Sequence, residues 1–467
     1  MQAGPSSPPV LTRPRSLPSE PLYIDVCEDA PWDLRSLPFR DKVTGLAAPL
    51  HGKPKDELAS DDLQEQRRFR RLRLAAITTL VMLTVISAST STAVYQRQQA
   101  LTTVLSHTEP LAYASGQLYR ALSVADAAAA TAFAADIEST EIRQRYEQAL
   151  TDAAVALTEA SSGLSDEPLQ QLLSRIIARL AVYAGLIETA RTNNRAGNVV
   201  GPSYLSEASA LMQQQILPDA QKLYDEVSGR VDEQLTDAAK IPILVMSIVA
   251  VTMLCGLYST RWWARRTGHT GVRLNVGFAA GGLAVLIMVV WVGAALSLCI
   301  ADSRTAKGTG ESLKTITALA INAQQARADE TLGLIRRGDE KVRTESFYQR
   351  IDAMQQQLAD YLADTNAMAK SELQEANQLL EQWRQSIDPT NSYIPVGNYW
   401  AATQESTPAF EKLVHLLDGG IQESRGKLHN DIIDARGALS GTTVGAVVLG
   451  IIAAAAVIAG LWPRMNE

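Results

Sequence analysis

Two apolar runs separated by a short basic connector occupy the middle of the chain, between Ile241 and Ile300. Ile241 to Tyr258 (IPILVMSIVAVTMLCGLY) and Asn275 to Ile300 (NVGFAAGGLAVLIMVVWVGAALSLCI) carry no ionisable side chain except cysteine. As helices they reach, or nearly reach, across the about 30 Å of hydrocarbon in a bilayer, and they are predicted membrane spans. Between them, the stretch Arg261 to Arg273 (RWWARRTGHTGVR) sets four arginines and a tryptophan pair where an interfacial, cytoplasmic turn belongs.

Two more apolar runs lie far from this hairpin. Leu74 to Val94 follows Arg67, Arg68, Arg70, Arg71 and Arg73, and Ala438 to Trp462 precedes Arg464. The arginine bias then places both termini and the central turn inside the cell, and two large segments outside. Over the 467 residues, 46% hydrophobic and 20% charged, the averages resemble a soluble protein only because spans and polar segments cancel. The expected class is an all-α membrane protein of the cell (inner) membrane, with four transmembrane helices and two duplicated extracytoplasmic antiparallel four-helix bundles. Its order is a cytoplasmic, largely disordered N-terminal region (1–72), a first span (73–95), a first bundle (96–240) and a second span (241–260). A basic turn (261–273), a third span (274–300), a second bundle (301–437), a fourth span (438–462) and a short tail (463–467) complete it.

The first 72 residues contain no early signal-peptide core, so the first span reads as a retained anchor. Cys27 falls in the cytoplasmic tail, and Cys255 and Cys299 fall in spans, which leaves the external segments without a disulfide framework or a cysteine metal site. Met1 to Glu20 is rich in Pro and Ser, as disordered tails are. Pro21 to Phe39 then interleaves acids with Tyr23, Ile24, Trp32, Leu34 and Phe39, anchors suited to docking a cytoplasmic partner by coupled folding. The alternative is a flap lying on the membrane. Lys53 to Arg73 is charged and predicted helical.

No Asp, Glu, Lys, Arg or His lies within the apolar cores, which weighs against transport. Gly277-x-x-x-Gly281 and Gly441-x-x-x-Gly445 provide small faces for a packed span bundle and are compatible with a homodimer.

Both external segments are alanine-rich, poor in glycine and free of strand alternation. Leu205, Ala208, Leu211, Ile216, Ala220, Leu223, Val227, Val231, Leu235 and Ala238 recur at helical spacing, the stripe of a helix buried on one side. Helix breaks are expected near Glu138 to Thr140, Ser161 to Pro168 and Asn193 to Pro202, and again at Arg337 to Arg343, Thr365 to Ser371 and Ile387 to Gly397. Four helices result in each segment. Shared order points to duplication: Ala125-Asp126 precedes Tyr146 much as Ala328-Asp329 precedes Tyr348, and Pro218-Asp-Ala-Gln-Lys-Leu223 matches Pro408-Ala-Phe-Glu-Lys-Leu413. Pro218 and Pro408 each start a helix or kink one, and a kink there is a candidate hinge. Asp126 and Asp329 are the candidate polar positions of the bundles. A buried Asp126 needs a partner, for which Arg120, Arg175 and Arg179 are available, and that cation could instead meet a ligand carboxylate.

Catalytic chemistry is not expected. The five histidines are scattered without metal spacing, and no phosphate-binding loop, nucleophile elbow or C-x-x-C motif occurs. No cofactor, metal or nucleic-acid partner is expected.

The order of spans, the absence of an effector domain after them, and the segment Tyr204 to Tyr224 (YLSEASALMQQQILPDAQKLY) resemble the GlnX family of four-span actinobacterial membrane proteins. The resemblance covers Arg67 to Arg464. It implies a relay between an extracytoplasmic amino-acid-binding lipoprotein, GlnH, and cytoplasmic serine/threonine protein kinase G, through which external aspartate or glutamate influences metabolism. Independently, two external bundles continuous with four spans can turn an external binding event into a shift at the central turn. Arg261, Trp262, Trp263, Arg265 and Arg266 are the candidate signal-transmitting positions, and membrane anchoring is the plainer role for each. The alternative function is an envelope scaffold or an accessory subunit of a transport complex.

Overall fold

The computed structural model describes residues 36–52, 54–134, 140–266, 276–335, 340–363, 370–387 and 399–465. Among the described residues there is helix and connecting turn, and no strand. Helix α1 (Leu37–His51) opens where Ser36 accepts a hydrogen bond from the Phe39 amide at 3.3 Å, with Pro38 in the first turn, and closes at Gly52, which adopts the left-handed φ of 65°. This helix lies inside the region whose composition reads as largely disordered; its signal was the pairing of cap residues at its ends.

After it come α2 (Lys55–Thr103), α3 (Glu109–Ala134), α4 (Thr140–Gly163), α5 (Glu167–Arg195), α6 (Gly201–Leu211), α7 (Leu217–Ala239) and α8 (Ile243–Arg266). The remainder is α9 (Val276–Ile335), α10 (Glu340–Ala363), α11 (Lys370–Ser386), α12 (Tyr399–Ala438) and α13 (Thr442–Met465). Two five-residue π-helical turns, Val104–Thr108 and Met212–Ile216, join α2 to α3 and α6 to α7. Each ends two residues before a proline, Pro110 and Pro218. A proline inside a helix lacks the N–H and crowds the carbonyl four residues back, and a widened turn relieves that crowding without ending the helix.

Among the described residues, three helical segments each contain an apolar window long enough to cross a membrane: Ile77–Ala134, Ala280–Gly333 and Gln404–Ala459. The expected second span falls in α8, whose apolar run among the described residues is Val245–Gly256. A helix of that length rises only about 18 Å. Helix α8 continues to Arg266, so the Arg261 to Arg266 part of the expected turn is helical backbone.

The chain divides into two compact units. One comprises residues 1–87, 250–286 and 449–467, and holds a small apolar cluster of Leu83, Ala284, Ala453 and Val457. At Gly281, an added Cβ would stand 3.1 Å from Val457 and 3.3 Å from the Ala453 carbonyl, so the glycine is what lets α9 and α13 approach. Ile77, Val81, Leu254, Leu283 and Ile451 are more than half exposed on this unit, as lipid-facing residues are.

The other unit comprises residues 88–249 and 287–448 and contains two cores. In the first, alanines at helical spacing on α3 (Ala114, Ala121, Ala125, Ala128) face alanines on α4 (Ala149, Ala153, Ala156, Ala160), and larger residues from α5, α6 and α7 close the far side. Of the predicted stripe, every residue is buried except Leu211, which is half-buried. The second core, from α9 to α12, centres on Trp383, fully buried with Phe347 and Phe410 rings at 5.3 and 5.1 Å. Ile321 and Leu332 of α9 belong to the first core, so α9 is packed into both.

Candidate functional site

The seam between these two cores is polar and runs the length of α3. Toward one end the Glu109 carboxylate, 5% exposed, accepts from Arg425 Nε at 3.2 Å, and the same guanidinium lies 3.4 Å over the Tyr113 ring. Further along, Arg120 pairs with Asp418, Gln325 donates to the Tyr119 hydroxyl at 3.4 Å, and Arg145 meets Glu411 at 3.3 Å. Lys307 and Lys314 of α9 face Asp232 and Asp225 of α7 at 3.8 and 3.5 Å. Exposed pairs of this kind are individually weak, whereas the enclosed Glu109 to Arg425 contact is of the stronger, charge-assisted kind. Burial raises the Asp418 carboxyl above its ordinary value, outweighing the pull of Arg120 in the other direction. Burial also pushes the Tyr224 phenol up to about 12, partly opposed by its hydrogen bond with Thr317 across the seam.

Three cavities open along this seam. The first, about 230 Å³, lies between Tyr113, Gly116, Tyr224, Leu235, Lys314 and Leu428 and is mostly apolar. A Cβ at Gly116 would stand 3.1 Å from the Tyr224 ring, so any larger residue there would push that ring back by a few tenths of an ångström. The second, about 240 Å³, includes Arg120, Asp418, Arg145 and Gln324. The third, about 450 Å³, shares Arg145 and Gln324 and adds Glu141, Arg327, Gln404 and Glu411.

Each core also contains a buried polar cluster. Asp126, 3% exposed, accepts hydrogen bonds from Ser209 Oγ at 3.0 Å, Gln213 Nε2 at 3.2 Å and the Tyr183 hydroxyl at 3.4 Å. The expected arginine partners are engaged elsewhere: Arg120 with Asp418, and Arg175 and Arg179 with Asp219. Arginines on the outer face of α5 reach Asp219 on α7, while the buried carboxylate is met by the short polar side chains that face the core. The π turn contributes Gln213, one helical turn beyond Ser209, to the same carboxylate. Burial, reinforced by the Asp126 charge, raises the Tyr183 phenol well above its ordinary value. The nearby Tyr146 phenol is also raised, chiefly by burial, and its hydroxyl has no hydrogen-bond partner among the described residues.

In the second core Asp329, 2% exposed, is held by Arg350 Nε at 2.8 Å. Flanking it on the same helix is a cluster that the sequence reading missed. Arg327 and Glu330, with side chains 4% and 1% exposed, pair at 2.9 Å. Arg327 also donates to Ser406 at 2.7 Å and Thr407 at 2.7 Å, and its guanidinium lies 5.2 Å from the Phe410 ring centre. Glu330 accepts from Trp383 Nε1 at 3.0 Å and from Ser406. Its signal was an arginine and a glutamate spaced i,i+3 on the alanine-rich part of α9.

Pro218 occupies the start of α7, directly after the π turn, whereas Pro408 sits inside α12. Phe39 is a half-buried residue of α1; Tyr23, Ile24, Trp32 and Leu34 lie outside the described residues. Arg261, Trp262, Trp263, Arg265 and Arg266 form the last turns of α8, and their side chains lie outside the described residues. The seam therefore brings together residues of both cores.

The cavity-lined polar seam thus belongs to a chain that also carries helices long and apolar enough to cross a membrane. Residues 100–236, from the end of α2 through most of α7, match the family model described as an actinobacterial sensor domain. No curated protein and no solved structure matches the chain.

Proposed function

We propose that the protein is a non-enzymatic transmembrane signalling adaptor that reports extracytoplasmic amino-acid availability, aspartate or glutamate above all, to a cytoplasmic serine/threonine protein kinase. The observation that carries the reading is the match of residues 100–236 to a sensor domain. In this reading the ligand arrives through an amino-acid-binding lipoprotein, and four spans with both termini cytoplasmic join two duplicated antiparallel four-helix bundles. The similar burial of Asp126 and Asp329, and of Leu223 and Leu413 in the two Pro-x-x-[Gln/Glu]-Lys-Leu segments, supports the duplication. Differential affinity of the partner for two arrangements of the seam would supply the signal. Output leaves through Tyr23 to Phe39 or through the arginines and tryptophans of Arg261 to Arg273.

Photo-crosslinkers at Trp32 and Trp262 in intact cells test the relay. Capture of a serine/threonine kinase at either position, changing with external aspartate or glutamate, is expected. Capture of envelope machinery alone, with no dependence on amino acids, would instead make the protein a scaffold.

A further inference from the structure

The largest of the three seam cavities has the makings of a ligand site of its own. It lies between the ends of α3 and α9 and the beginnings of α4 and α12, so both cores contribute walls. Its volume of about 450 Å³ is in the range of small-molecule pockets. Gln324 lines it, is 4% exposed as a residue, and its side-chain amide makes no hydrogen bond among the described residues. An amide on a cavity wall with its donors and acceptor uncommitted can bond an occupant at both ends.

The charges in the wall select the occupant. Arg327 is committed to Glu330, Ser406 and Thr407. Arg145 and Glu411 pair with each other at 3.3 Å, with 44% and 55% of their side chains exposed, and the Arg145 charge also acts on Asp418. So open a pair is easily parted. Glu141, one turn before Arg145, adds a second carboxylate. A ligand bearing only negative charge would be repelled by the two glutamates, and one bearing only positive charge by Arg145. A molecule with a carboxylate and an ammonium two bonds apart satisfies both sides of the parted pair.

We propose that this cavity binds a free α-amino acid, its carboxylate on Arg145, its ammonium on Glu411 and its remaining polar atoms on the Gln324 amide. The ligand replaces a direct link between α4 and α12 with one made through itself, and its binding is thereby coupled to the spacing of the two cores. The adjoining cavity, which shares Val124, Arg145 and Gln324, gives the ligand's side chain room toward Arg120 and Asp418. The proposal rests on the amino-acid-sensing reading above and places recognition in this chain itself.

The test is calorimetry on the full-length protein in lipid nanodiscs, titrated with a panel of free L-amino acids and with N-acetyl-L-alanine, which lacks the ammonium. At least one free amino acid is expected to bind and the acetylated probe to give no heat. Arg145→Ala and Gln324→Leu should each weaken binding by about tenfold or more, equivalent to about 1.4 kcal/mol. Arg175→Ala, whose partner Asp219 lies outside the cavity, should leave it unchanged. Arg145 is exposed, so its variant remains informative if Gln324→Leu does not fold. Absence of heat with every free amino acid, equal binding of the acetylated probe, or undiminished binding by Arg145→Ala would overturn the proposal. Kinase capture that persists without any such heat would leave the relay standing and remove only this site; heat without kinase capture would do the reverse.

Discussion

Arg327 and Glu330 stand one helical turn apart on α9, both buried, and Trp383 of α11 and Ser406 and Thr407 of α12 bond to them. Removing one member of such a pair leaves an uncompensated charge in the core. Arg327→Ala is therefore expected to cost about 3–5 kcal/mol, read as a fall in the circular-dichroism melting temperature. Glu330→Gln, which keeps an acceptor for Trp383, should cost less. Asp126 is the corresponding test in the first core. Asp126→Leu strips the acceptor from Tyr183, Ser209 and Gln213 together and should destabilise by about 2–4 kcal/mol, with Asp126→Asn much milder.

At the scale of elements, helix continuity is bought with special turns and special residues. The π turns before Pro110 and Pro218 let two helices carry prolines onward, whereas α12 takes Pro408 without one. Pro408→Ala returns a donor to the carbonyl four residues earlier and removes the ring's crowding. It should stabilise the protein by about 1–3 kcal/mol, measured by chemical denaturation in detergent. Gly445 of α13 faces the Trp291 ring of α9, which occupies the space that a Cβ would need. Gly445→Ala should then cost about 1–3 kcal/mol and alter tryptophan fluorescence. That face, with Gly281 against Val457, is used within the chain, so small-x-x-x-small spacing here reports internal packing.

At the scale of the whole molecule, Tyr119, Tyr146, Tyr183 and Tyr224 all have phenols raised from the ordinary 10.0, with burial the largest cause in each. The folded state favours their neutral form, so the stability they carry is complete below pH 10 and is lost as pH rises beyond it toward the raised values. Melting temperature should fall steeply above about pH 10, and Tyr183→Phe should flatten that fall. Because Tyr119 and Tyr224 bond across the seam, the two cores are expected to loosen together in this range.

Hydropathy and periodicity were enough for the all-helical class, the apolar stretches near Leu74, Asn275 and Ala438, and the helix breaks at 164–166 and 196–200, because each depends on the order of residues along one segment. Gly and Pro marked the connections at 164–166 and 196–200 for the same reason: a local backbone conformation selects them. Partner choice is another matter. That Asp126 is met by Ser209, Gln213 and Tyr183, and that Arg425 of α12 reaches Glu109 of α3, depends on which helix faces are brought together between segments far apart in the chain. The helices could be read from the sequence one at a time, but the seam and its cavities exist only where helices of the two cores meet, α3, α4 and α7 with α9 and α12, since a cavity is a property of facing surfaces and not of any one of them.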